Sequence, residues 1–250
     1  MKNHEMELDK IQTKAPEDVS QEWAEKEIEK LQKELFDLQN LFFAAKKFSM
    51  LVLFQGVDAS GKDGTIRHVF SCMNPLGVRA KAFKVPNEVE LEHDFLWRIF
   101  KELPEKGIIQ IFNRSYYEDI IEPSIAQNLD KEILENRYDT INALERHLID
   151  NGTILLKFYL HISSSEQKHR IRKRISDPMK NWKYSESDEI AANHYEKYLE
   201  AYDRVIKKCS KHSSWHVLPS DDKWYRNYKV AKTIAEHIER LDLSFPKRQR

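Results

Sequence analysis

The 250-residue chain sets 41 Lys and Arg against 41 Asp and Glu, with 40% hydrophobic and 33% charged residues. That length supports one sizeable core, and zero net charge argues against a general polyanion binder, so any anion site has to be local. Two cysteines, Cys72 and Cys209, stand outside any C-x-x-C pair and argue against a disulfide framework or a zinc site, and no apolar run is long enough to span a bilayer. No apolar signal core stands in "MKNHEMELDKIQTKAPED", so a cytoplasmic location with neither membrane nor nucleic acid as partner is expected.

Residues 1–18 are polar, carry Pro16 and read as a loose arm; with the helix after it the arm makes up residues 1–47. That helix follows Ser20 and Trp23, and Ile28, Leu31, Leu35, Leu38 and Phe42 mark one face. The face packs on the parent domain or pairs with a second subunit, and two heptads are weak support for a coiled coil. "SMLVLFQG" at 49–56 is a continuous apolar run, as expected of a strand buried on both faces. Comparable runs lie at 78–85, 107–113, 153–162 and 215–219, and helical patterns at 63–73, 88–101, 131–150, 164–176, 187–209 and 222–241. Alternation of this kind predicts an α/β domain over 48–241, a parallel sheet with helices on both faces, and then a basic tail over 242–250.

The first strand runs into "FQGVDASGKDGT" at 54–65, with the phosphate-loop spacing G-x-x-x-x-G-K between strand and helix. Gly56, Ala59, Ser60, Gly61, Lys62, Asp63, Gly64 and Thr65 are the candidate phosphate- and nucleotide-binding residues. Backbone N–H groups and the helix dipole converge there, and Lys62 adds a full charge. Position 63 holds Asp where Ser or Thr is usual, and Asp58 lies inside the loop. A carboxylate beside phosphates is repulsive unless a cation lies between them, and magnesium bridges the two. Asp58 is therefore the candidate for metal binding or for activating the acceptor phosphate, whereas Asp63 reads first as an acid suited to the helix dipole.

The third strand ends at Phe112, and Asn113, Arg114, Ser115, Glu118 and Asp119 arrive together where parallel sheets bind ligands. Arg114 can clamp a phosphate with its fork. Glu118 fits a base, an orienter of the acceptor or a partner of metal-bound water, and Asn113 can accept from such a water. A lid is expected over about 166–190, where Arg170 and Arg174 share a helical face, Asp177-Pro178 ends the helix, and Lys180, Trp182 and Lys183 follow. Lys81 and Lys84, late in the second strand, either extend the anion path or are solvated.

"GVDASGKDGT", "FNRSYYED", "RIRKRISDPMKNWKYS" and "WHVLPSDDKWYRN", in that order, resemble the polyphosphate kinase 2 family over roughly residues 40–240. The resemblance implies a three-layer α/β/α, thymidylate-kinase-like P-loop fold and magnesium-dependent phosphoryl transfer between inorganic polyphosphate and adenine or guanine nucleotides. It places Asp58 and Lys62 in the phosphate loop, Asn113 and Arg114 in the second motif, and Arg170 and Arg174 in the lid, all acting with Glu118. Many members have Asp-Arg-Ser where this chain has Asn113-Arg114-Ser115. The Asn form is similar to a subgroup acting on both AMP and ADP, in which Glu118 would support monophosphate use. A homodimer or homotetramer is also implied. Two rivals stay open: an ATP-dependent nucleoside monophosphate kinase of the same fold, and a non-catalytic nucleotide-binding assembly protein.

Overall fold

The computed structural model describes residues 7–179, 181–183 and 185–247, with the side chains of 183 and 186–188 outside the described set. Helix α1 (Gln21–Ala45) starts at Ser20, whose Oγ accepts from Trp23 N at 3.2 Å, and stops at Lys46 in the left-handed region, φ 49°. Strands β1 (Ser49–Gln55), β2 (Val78–Ala82), β3 (Ile109–Asn113), β4 (Thr153–His161) and β5 (Trp215–Pro219) form one parallel sheet in the order β2-β3-β1-β4-β5. Every residue of the central strand β1 is buried. Its alternation sends Leu51 and Leu53 into one core and Met50, Val52 and Phe54 into the other.

The first core is closed by α5 (Glu118–Ala126), α6 (Lys131–Asp150) and α9 (Tyr195–Lys208), through Ile120, Tyr138, Ile141, Tyr202 and Val205. The second is closed by α1, α2 (Lys62–Phe70) and α10 (Lys223–Glu239), through Leu35, Phe42, Val69 and Ile234. The apolar stripe of α1 thus packs on its own domain. Among the described residues no helix is long and apolar enough to cross a membrane.

Four expectations need correction. The run at 88–101 is two short helices, α3 (Glu88–Leu91) and α4 (Trp97–Phe100). Asp94 Oδ1 takes the Leu96 N–H at 2.9 Å, an alternative to helix continuation. The run at 187–209 breaks at His194 into α8 (Glu186–Asn193) and α9. Strand β2 is an edge strand with exposed Arg79, Ala80 and Ala82, because only β3 pairs with it. The arm is docked from residue 7 onward: Leu8 lies in the first core at 1% exposure, Thr13 Oγ1 donates to Asp221 Oδ2 at 2.8 Å and Ala15 N to Asp222 Oδ2 at 2.9 Å. One buried leucine among polar neighbours makes no period, so the pattern could not reveal it. Helix α5, which begins within the polar cluster at Glu118, is a further element that the sequence pattern does not mark.

Below the sheet's functional end, Lys157 of β4 and Glu145 of α6 form a fully buried pair at 2.6 Å. Glu145 also accepts from Tyr116 Oη at 3.0 Å and Tyr117 Oη at 2.5 Å, and Lys157 donates to the Cys209 carbonyl at 2.6 Å. This knot ties the segment between Arg114 and Glu118 to the core. A Lys157→Met protein is expected to lose about 3–5 kcal/mol of unfolding free energy, because Glu145 stays buried without its cation. Chemical denaturation checks this, and adding Glu145→Gln is expected to recover part of the loss.

Candidate active site

Strands β1 and β3 are neighbours with Phe54 opposite Asn113, so the loop at 56–61 and the segment Arg114–Glu118 leave the sheet side by side. The loop turns at Gly56, φ 145°, where a Cβ would come within 2.8 Å of the Leu160 carbonyl. It enters α2 through Gly61, φ 102°, and Ala59 between them also has a positive φ of 63°. Two glycines and a strained alanine set the peptide planes, and α2 supplies its unpaired first N–H groups and positive dipole end.

Lys62 is 8% exposed and folds back over the loop, donating to the carbonyls of Gly56 at 2.6 Å and Val57 at 3.2 Å. Burial lowers its pKa, Arg114 adds to that, and Asp58, Glu118 and Asp63 oppose it.

Arg114 is the centre of the site. Its φ is 62°, and its backbone N–H donates to the Phe54 carbonyl at 3.0 Å. Nη2 meets Asp58 Oδ1 at 2.5 Å, and Nη1 lies 3.5 Å from Glu118 Oε2. Burial works against the guanidinium charge, but Glu118 and Asp58 outweigh it and raise the Arg114 pKa. Burial also pushes the Asp58 carboxyl up, yet the charges of Arg114, Lys62 and Arg174 win and hold it below its ordinary value. Glu118 goes the other way: burial, helped by Glu122 and Asp58, pushes it up to about 7 despite Arg114 and Lys62. One guanidinium is thus shared by two acids of opposite character, one firmly ionised and one poised near neutrality. Gln55, with its amide oriented to satisfy both ends, donates to Glu118 Oε1 at 2.8 Å and accepts from Ser115 Oγ at 3.0 Å.

The remaining expected residues divide sharply. Asn113 Nδ2 donates to Asp63 Oδ1 at 2.6 Å, so Asp63 pins α2 to the end of β3 beyond any dipole effect. Thr65 Oγ1 donates back to the Gly61 carbonyl at 3.1 Å, and Gly64 has open space where a Cβ would stand. The buried hydroxyl of Ser60 makes no hydrogen bond. Arg174, on α7 (Ser164–Ser176), is half-buried and near enough for its charge to act on Asp58.

Arg170, also on α7, does not reach the loop mouth. Its Nη1 donates to the carbonyls of Ala59 at 3.1 Å and Ser60 at 2.9 Å, its Nη2 to those of Ser220 at 2.7 Å and Asp221 at 2.9 Å, and its Nε to Glu166 at 2.6 Å. All five donors are used, so Arg170 braces the loop from outside. Lys81 pairs with Glu102 at 2.6 Å on the sheet edge, and Lys84 is exposed on the segment after β2. The Lys183 side chain lies outside the described residues.

A further arginine, Arg226 of α10, is buried against Gly61 and is not singled out by the sequence pattern, although it stands within "KWYRN". No periodicity marks it, because it sits on the same face as the core residues of α10.

The donor set suits a divalent cation whose coordination is completed by substrate. Among the described residues no group of three His, Cys, Asp or Glu is gathered to cage a metal alone. Asp58 and Glu118 nevertheless both meet the Arg114 guanidinium beside the loop at 56–61, and a hard divalent cation can use one or two carboxylates plus substrate phosphates.

A family model described as Polyphosphate kinase 2 matches residues 18–246. An ADP-polyphosphate phosphotransferase of Rhodopseudomonas palustris is 43% identical over 225 residues, 85% of this chain and 78% of that protein. An AMP/ADP-polyphosphate phosphotransferase of Meiothermus ruber is 41% identical over 217 residues, 86% of this chain and 81% of that one. The crystal structure of polyphosphate kinase 2 from Arthrobacter aurescens superposes with a TM-score of 0.95 at 34% identity, covering 98% of this chain and 89% of that one.

Proposed function

The chain belongs to the polyphosphate kinase 2 family, and from that premise we propose that it transfers the terminal phosphoryl group of inorganic polyphosphate to both AMP and ADP, with magnesium. The observation that carries it is Arg114 shared between Asp58 of the phosphate loop and Glu118 of α5.

An acceptor phosphate oxygen attacks the terminal phosphorus in line. A new P–O bond forms as the terminal bridging P–O bond breaks, which leaves a polyphosphate one unit shorter. Such a transition state asks for positioning and charge neutralisation more than covalent chemistry. Lys62 and the loop amides hold donor oxygens, Arg114 sits where charge develops, and Arg174 approaches from α7. Magnesium, held by Asp58 and reached by Glu118 or Asn113 through water, would supply further neutralisation between donor and acceptor phosphates. Arg170 acts at one remove, by fixing the Ala59 and Ser60 peptides. Adenine or guanine nucleotides as acceptors, a homodimer or homotetramer and a cytoplasmic location complete the reading.

Glu118 is assigned to the monophosphate acceptor, so its ionisation sets an acid limb. The rate with AMP is expected to fall as pH drops through about 7, where Glu118 takes up its proton. Glu118→Gln is expected to remove that limb and to lower AMP turnover by about 10²-fold, with a smaller effect on ADP. Steady-state rates with polyphosphate and each acceptor separately test this. Equal losses with both acceptors would withdraw Glu118 from acceptor choice.

A further inference from the structure

Arg226 is 2% exposed, deeper than most arginines are ever placed. Its Nη1 donates to the Ser60 carbonyl at 3.1 Å, and its Nε and Nη2 donate to Asn227 Oδ1 at 3.2 and 3.0 Å. These acceptors are neutral. Among the described residues no carboxylate lies within ion-pair distance of Arg226, whereas the neighbouring Arg170 has Glu166. Burial, with the Arg170 charge added, pushes the Arg226 pKa down to about 9. Lys223 and His68 are lowered too, by burial and then by nearby cations that include Arg226, so the positive field spreads over this side of the loop.

The guanidinium is also pressed against the wrong end of a helix dipole. Gly61 caps the N-terminus of α2, and a Cβ there would fall 2.2 Å from Arg226 Nη1. Gly61 therefore serves two needs, a left-handed turn and room for this cation. A buried cation with neutral acceptors, a second arginine beside it and a positive helix end in contact is unfavourable on every count. A single change resolves all three terms: an anion on the inner side of the loop.

We propose that Arg226 is a positioning residue for the phosphoryl donor, a fixed cation behind the phosphate loop whose counter-charge is the incoming polyphosphate. It acts through the Ser60 carbonyl, which also accepts from Arg170 at 2.9 Å, so that two guanidinium groups hold one peptide and aim the loop amides inward. This inference rests on the proposed donor.

The test compares wild type, Arg226→Met and Arg226→Lys in thermal melts with and without polyphosphate, and in steady-state kinetics with magnesium and AMP. Removing an unpaired buried charge is expected to leave the melting temperature of Arg226→Met without polyphosphate equal to wild type or higher. The rise in melting temperature that polyphosphate gives is expected to shrink by about half or more. KM for polyphosphate is expected to rise about tenfold, with kcat and the KM for AMP changing far less. Arg226→Lys keeps the charge without the fork and is expected to fall between the two. An Arg226→Met protein that melts lower or fails to fold assigns Arg226 a purely structural role and overturns the proposal. An unchanged polyphosphate KM, or equal rises for both substrates, overturns it as well. Wild-type turnover of polyphosphate, measured alongside, tests the proposed donor separately, and the melts need no turnover.

Discussion

An Asp58→Asn protein is expected to lose about 10³-fold in kcat with polyphosphate while melting within a few degrees of wild type. The substitution preserves shape and removes one charge from a side chain that is 23% exposed, so little of the core depends on it. What it removes is the carboxylate of the loop that Arg114, Lys62 and Arg174 hold below its usual pKa against the cost of burial. It also takes the charge from the shorter partner of Arg114, so that Glu118 is left as the carboxylate paired with that guanidinium. The half-saturating magnesium concentration is expected to rise about tenfold or more, since the remaining carboxylate is the one poised near neutrality. A coupled assay over a magnesium titration reads both effects. A modest loss in kcat with no change in magnesium dependence would mean that Asp58 serves only to orient Arg114.

Arg114→Lys is expected to cost about 10³-fold in kcat, the lower end of what an arginine at a transferring phosphoryl group supplies. An ammonium keeps the charge but cannot reach two acids and a phosphate from one planar fork. The backbone makes the position harder to replace: φ is 62° at Arg114, and the same residue anchors to Phe54 through its N–H. Strain of this kind persists where surrounding structure over-determines it, and here the buried Glu145 knot beneath Tyr116 and Tyr117 does so. The measurement is kcat and KM for each substrate. A fall in kcat with KM nearly constant places Arg114 in the transition state, and a rise in KM alone would make it a binding residue only.

The central strand, the phosphate loop and α2 were legible because they are contiguous: a buried strand, two glycines at fixed spacing and a lysine at a helix start all lie within 49–70. Arg114 and Glu118 were legible for a related reason, since polar residues arrive abruptly where an apolar strand stops. Contacts between distant segments were not legible. Asn113 and Asp63 are 50 positions apart, and each suits a different local explanation. Helical spacing put Arg170 and Arg174 on one face without saying what the face meets; the structure gives one to backbone carbonyls and leaves the other near Asp58. Arg226 was hidden because a cation within an apolar face breaks the rule by which faces are read. Docking of the arm turned on Leu8, a lone residue in a polar stretch.

Donor identity is the point on which the rest depends, and one paired measurement addresses it. Purified protein with magnesium and AMP receives either inorganic polyphosphate or ATP, and nucleotide products are separated over time. ADP and then ATP are expected from the polyphosphate vessel at a rate far above that of ADP formation from ATP. ADP from the ATP vessel alone, with none from polyphosphate, would contradict the donor assignment and favour an ATP-dependent monophosphate kinase.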